Sequence, residues 1–242
     1  MSDVTLLHTA RRLLQSVGLD VARYPGDHPM RQVVQLLSRH RITRVLDVGA
    51  NDGGYATELR RFGYTGSIVS FEPISEPFRL LQKHASPDPD WVTLRYAIGA
   101  EPATVTINVA ANNAASSSVL PMLPAHEEEA PSAKIIGSEF VAQHTLDSLW
   151  PDITNPNDLV FLKADVQGYE CYVLDGIAEH LNRIIGMQLE LSMVPLYGGG
   201  WLYDEALAWT RQHGFTLMRL IPGFTNQQTG QMLQADGVFF HN

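Results

Sequence analysis

The chain has 242 residues, 45% of them hydrophobic, and its 17 basic against 26 acidic side chains give a formal charge of −9. That length suffices to bury one full core, no apolar run reaches the roughly 18 residues of a membrane span, and the net charge repels phosphate backbones with no local basic patch to offset it. A secretion signal is missing from the first residues and Cys171 is the lone cysteine, so a cytoplasmic protein without a disulfide framework or a thiolate-rich metal site is expected, with neither a nucleic-acid partner nor a membrane span.

Leu6, Ala10, Leu13 and Val17 recur at helical spacing, and Met30, Val33, Val34 and Leu37 do so again after turn chemistry around Pro25, Gly26 and Pro29. Residues 1–43 therefore read as a helical cap on a single domain, with the core over residues 44–242. The period then changes. Arg44-Val-Leu-Asp-Val-Gly49 is a buried strand, Tyr55, Leu59 and Phe62 mark one helix face, and Ser67-Ile-Val-Ser-Phe-Glu72 is a second strand. Ser75 reads as the cap of the next helix, and residues 91–97 as a third strand. Such alternation predicts a doubly wound, mostly parallel α/β sheet.

Residues 103–109 alternate with period two and read as an added edge strand. Residues 110–138, rich in Ala, Ser, Pro and Glu, read as a long loop, and regular structure is expected to resume at 139–144. Leu159-Val-Phe-Leu-Lys-Ala-Asp165 and Ile184-Ile-Gly-Met-Gln-Leu-Glu190 are apolar runs closed by acids, with a helix between them. A helix over 201–213 stopped by Gly214, a strand over 215–221 and a last strand over 235–241 complete the chain.

In such sheets ligands bind outside the strand C-terminal ends. The first such end, Gly49-Ala-Asn-Asp-Gly-Gly54, has the form of a dinucleotide fingerprint except that Asn51 replaces the glycine that lets a pyrophosphate approach. Glu72 ends the second strand, where an acid can accept both hydrogen bonds of a ribose diol. Together these describe a nucleoside site without a pyrophosphate cradle, which disfavours a nicotinamide-dependent reductase, as does the lack of a Tyr-x-x-x-Lys pair. Three carboxylates, Asp165, Glu190 and Asp236, are expected to meet at one sheet edge if the last strand runs antiparallel. They could take a proton from an acceptor hydroxyl, or hold Mg²⁺, or simply satisfy backbone groups and an ion pair. Lys163, a cation within a buried strand, needs an acidic partner. His144 and His213 read as structural, and Glu127-Glu-Glu129 as a solvated charge run.

Leu46-Asp-Val-Gly-Ala-Asn51 followed by Phe71-Glu-Pro73 resembles the first two motifs of class I methyltransferases. The FkbM-type branch is the closer match, through Ala97-Ile-Gly99, Ser116-Ser-Ser-Val119, Thr145-Leu-Asp-Ser-Leu149 and Lys163-Ala-Asp-Val-Gln-Gly-Tyr-Glu170. The resemblance spans roughly residues 44–241 and implies a Rossmann-like sheet with an antiparallel last strand. It implies S-adenosylmethionine held by Asp47, Gly49, Asn51, Glu72, Pro73, Ala97 and Asp165, and methyl transfer to a hydroxyl of a sugar or secondary metabolite. An N-methyltransferase and a non-catalytic adenosine-ligand-binding protein are the alternatives. Where this family carries Glu after the Asp-Val pair, this chain has Gln167.

Overall fold

The computed structural model describes residues 28–241. The expected helix around Leu6 to Val17 lies outside them. The second forms α1 (Pro29–Arg39), entered through His28, whose Nδ1 accepts the Met30 N–H at 3.2 Å, and through Pro29 in the first turn, where a missing N–H costs nothing. In chain order there follow β1 (Arg44–Val48), α2 (Gly54–Arg61), β2 (Ser67–Phe71), α3 (Ser75–Ala85), β3 (Trp91–Leu94), β4 (Ala97–Ile98), β5 (Ala103–Ala110) and α4 (Pro124–Glu129). The second half comprises β6 (Ile135–His144), α5 (Leu146–Ile153), β7 (Val160–Ala164), α6 (Glu170–Asp175), β8 (Ile184–Ser192), α7 (Tyr203–Gln212), β9 (Phe215–Pro222) and β10 (Gln234–His241).

Seven strands form one sheet in the order β3-β2-β1-β7-β8-β10-β9. All neighbours pair in parallel except β10, which runs antiparallel to both β8 and β9. This is the doubly wound sheet with a reversed last strand that the sequence implies. Every residue of β7 is buried, as befits a strand covered on both faces. One face packs Leu46, Leu162 and Leu189 against Leu146, Trp150 and Leu174 of the following helices, and the other packs Val45, Phe161 and Phe240 against α1 and α2. Because the chain lays down β2 and β3 on one side of β1 and β7 on the other, a crevice opens between β1 and β7 at their C-terminal ends.

Four expectations need correction. The third strand stops at Leu94, and Ala97–Ile98 instead pairs with β6. β5 is no edge strand of the main sheet, since it pairs antiparallel with β6 in a separate sheet of order β4-β6-β5. Alternation reveals which faces are buried but not which strand lies alongside. Residues 110–138 are not structureless. Asn108 and Ser118 exchange backbone hydrogen bonds of 2.9 and 3.2 Å, α4 and a 3₁₀ turn at Pro131–Ala133 follow, and β6 starts at Ile135. Ser75 does not cap α3. It is the first helical residue, and carboxylates supply the capping acceptors, with Glu72 receiving the Ile74 N–H at 2.8 Å and Glu139 the Ser75 N–H at 3.2 Å.

Candidate active site

The crevice is a cleft walled by the ends of β1, β2 and β7 and by Ala114, Ala115 and Ser117 to Val119. Gly49 turns the chain away from β1 with φ +75°, and a Cβ there would stand 1.9 Å from the Asp165 carbonyl oxygen, so only glycine lets the β1 and β7 ends meet. Glu72 lines the cleft and is 4% exposed. Its two carboxylate oxygens accept the N–H groups of Asn51 (2.9 Å) and Ile74 (2.8 Å), leaving further lone pairs for a diol. Burial pushes Glu72 up to about 7, against the pull of those hydrogen bonds and of Lys163.

Asn51, Pro73, Ala97 and Asp165 also line the cleft. Asn51 adopts φ +48°, and its amide donates to the Asn113 carbonyl at 3.0 Å, tying the turn at the cleft mouth to the β1 end. Tyr96, Ile98, Ile107 and Val119 give the floor an apolar lining. A buried carboxylate beside an apolar slot, with no cradle of free N–H groups, fits a nucleoside better than a pyrophosphate.

Asp47 is not on the cleft wall. It is 0% exposed and stands in register with Ser70 on one neighbouring strand and Lys163 on the other. Residues directly opposite share a face, so the three form a polar row beneath the cleft, extended by Gln188, the register partner of Lys163 on β8. Trp91 Nε1 donates to Ser70 Oγ (2.9 Å) and Ser70 to Asp47 Oδ2 (3.0 Å). The Lys163 ammonium lies 3.3 Å from Asp47, 3.6 Å from Asp165 and 2.9 Å from the Gly49 carbonyl, which it bonds. Burial opposes this cation, but Asp47 and Asp165 more than offset it and hold its pKa above the usual lysine value. Lys163 thus has the acidic partner the sequence demands, and it fixes the Gly49 turn from below.

Asp165, Glu190 and Asp236 do converge on one edge. Glu190 and Asp236 are register partners on β8 and β10, and the Gln167 amide joins Asp165 (2.9 Å) to both oxygens of Glu190 (3.1 and 3.0 Å). Burial, then Asp165 and Glu170, push Glu190 well above the usual carboxylate range, while burial and then Asp165 push Asp236 up to about 6. The three do not form a ready cation cage. Among the described residues, the one trio whose ligand atoms lie within 4.8 Å of one another is Asp147, Glu179 and His180, away from the cleft. There Asp147 accepts the N–H groups of Glu179 and His180 and the His180 ring.

Two residues of the site receive no role from the sequence, although Glu170 closes one of its motifs. Tyr197, in the irregular stretch after β8, places its hydroxyl 2.8 Å from Gln167 Oε1 and 3.0 Å from the Ser116 carbonyl. Glu170, buried at the start of α6, accepts the Val166 N–H at 2.9 Å and so shapes the turn that carries Gln167. The serines of 116–118 are equally employed, with Ser118 donating to the Gln167 carbonyl at 2.8 Å.

Residues 47–217 match the family described as Methyltransferase FkbM domain. No curated protein matches. Solved structures of similar shape include TehB from Haemophilus influenzae (12% identity, TM-score 0.47, covering 87% of this chain and 62% of that one). A putative tRNA methyltransferase from Streptococcus pneumoniae, in complex with S-adenosyl-L-methionine, is 11% identical with TM-score 0.45 over 87% of this chain and 72% of that one. A putative caffeoyl-CoA O-methyltransferase from Staphylococcus aureus is 6% identical with TM-score 0.47 over 99% and 93%. The chain thus spans less than two thirds of TehB.

Proposed function

The chain belongs to the FkbM methyltransferase domain family, and on that premise we propose that it moves a methyl group from S-adenosylmethionine to a hydroxyl of a sugar or secondary metabolite. The observation that carries this reading is the position of Asp165, which lines the cleft beside Glu72 and is joined by Gln167 to Glu190. One residue thereby belongs to both the donor cleft and the carboxylate edge. When bound, S-adenosylmethionine supplies a methyl group activated by a sulfonium. Glu72 would accept from the ribose hydroxyls and the apolar floor would take the base, while Gly49 brings the β1 and β7 ends together beside them.

On the acceptor side an ionised carboxylate of the Asp165, Glu190 and Asp236 group takes the hydroxyl proton as the new bond forms, and the same groups orient the hydroxyl. Hydrogen bonds from Ser118 to the Gln167 carbonyl and from Tyr197 to Gln167 Oε1 tie the edge to the 114–119 wall. Of residues 110–138, those from Ala114 to Val119 supply the wall on which acceptor choice depends.

The test is a mass-spectrometric screen of glycolipid, sugar and polyketide acceptors for the gain of one methylene unit, with amine acceptors alongside. Transfer to a hydroxyl, lost in Asp165→Asn, supports the reading. Transfer to amines alone overturns it.

A further inference from the structure

Gln167 is the junction of the carboxylate edge. Its Nε2 lies 2.9 Å from Asp165 Oδ1 and 3.1 and 3.0 Å from the two Glu190 oxygens, and its Oε1 lies 2.8 Å from the Tyr197 hydroxyl. The chemistry of the neighbours fixes which amide atom points where. Nε2 is the end that can donate to the carboxylate oxygens, and Oε1 the end that can accept the Tyr197 hydroxyl. The residue is 8% exposed and adopts φ +56°, a backbone conformation that Asn and Gly favour over Gln, and the Gly168 that follows has φ +90°. The Ser118 hydroxyl, donating to the Gln167 carbonyl at 2.8 Å, helps to hold it there.

Two carboxylates drawn toward one point repel unless a proton, a cation or a donor stands between them. A divalent ion serving Asp165 and Glu190 together would need the place from which both can be reached, and the Gln167 NH₂ is already in it, with two protons for two acids. The carboxamide oxygen, the one atom of the side chain that could bind a metal, is turned away toward Tyr197. The far oxygen of Asp165 meets a positive charge too, the Lys163 ammonium at 3.6 Å. We infer that the Gln167 carboxamide takes the place of a divalent cation between Asp165 and Glu190, so that this edge is held together by a neutral side chain and binds no metal.

The inference rests on the preceding proposal only in naming this edge the acceptor side. A Mn²⁺ titration followed by electron paramagnetic resonance, on the whole chain without methyl donor or acceptor, reads the cluster itself, whereas turnover reads the proposal. Wild-type protein should show no bound Mn²⁺ whose signal Asp165→Asn removes, and any ion held at Asp147, Glu179 and His180 would survive that substitution. Gln167→Glu should gain one Mn²⁺ site, and adding Asp165→Asn should abolish it. That gain is a signature a merely structural glutamine would not produce. A wild-type Mn²⁺ site lost in Asp165→Asn would overturn the inference, as would a folded Gln167→Glu protein that gains none. If the variant does not fold, the comparison of wild type with Asp165→Asn decides alone.

Discussion

Glu190 and Asp236 stand directly opposite one another on β8 and β10, at the seam where the sheet changes from parallel to antiparallel. Facing acids on adjacent strands oppose each other's ionisation, so the edge works only within a pH window. Glu190→Gln and Asp236→Asn are expected to cut turnover with the dissociation constant for S-adenosylmethionine unchanged, because neither residue lines the cleft. The variant that removes the proton acceptor should lose about 10²- to 10⁴-fold. Wild-type turnover should climb as pH rises through about 6, where Asp236 gives up its proton, and Asp236→Asn should lack that limb. A pH–rate profile with the same limb in both proteins would remove Asp236 from the chemistry.

Glu72 makes two separate predictions. Glu72→Ala should weaken S-adenosylmethionine binding by roughly 1.5 to 3 kcal/mol, the worth of hydrogen bonds to a charged group, measured by titration calorimetry. Its carboxyl is raised to about 7 in the folded chain, so its contribution to stability is whole below the ordinary Glu range and is lost as pH rises through about 7. Urea unfolding at about pH 5 and about pH 8 should therefore show a fall that Glu72→Gln reduces by up to about 3 kcal/mol. Equal slopes in the two proteins would contradict the burial of an acid at this place.

Lys163→Met should be strongly destabilising. The substitution strips the cation from Asp47, which is wholly buried, and removing one partner of a buried ion pair costs about 3–5 kcal/mol. Adding Asp47→Asn should restore much of the loss, since the wholly buried charge is then gone and Asp165 is partly exposed. Denaturant midpoints within error of wild type for the single variant would show that the row beneath the cleft is not under this electrostatic constraint.

His126, in α4, is 2% exposed, its Nδ1 has no hydrogen-bond partner among the described residues, and its ring meets Tyr197 edge-on at 5.1 Å between centroids. Burial lowers its pKa, so the neutral ring stabilises α4 above its ordinary titration range and that contribution is lost as pH falls through the lowered value. Acid should accelerate protease cleavage at the exposed glutamates 127–129, and His126→Phe should stay slow across the same range. Cleavage equally fast at all pH values would sink the idea.

The strands of the main sheet were legible because Val45 to Val48, Phe161 to Ala164 and Val238 to Phe240 are nearly unbroken apolar runs, which strands buried on both faces require. Gly49 and Glu72 were legible too, as a turn and an acid at strand ends. The second sheet was not, because the choice of β6 as partner for Ala97 and for Ala103–Ala110 is made by tertiary contact rather than by period. Asp47 was misplaced for a related reason, since its role follows from Ser70 and Lys163 arriving in register on two different strands. Gln167 stood out in the sequence as a departure from its family, but its work depends on Glu190 and Tyr197, 23 and 30 positions further on.

The long stretch of chain between β1 and β7 also bears on how the molecule assembles. The centre of the main sheet is the pairing of β1 with β7, and beside it the Leu159 N–H bonds Thr43 Oγ1 across 116 positions of chain. Neighbouring strands β9 and β10 meet after a short reversal, so they can form early, whereas the central seam has to wait for the largest loop closure in the sheet. Zipping that seam is therefore expected to be the slow event of refolding, and one cut among glutamates 127–129 should turn it from a first-order step into an encounter between two fragments whose rate rises with their concentration.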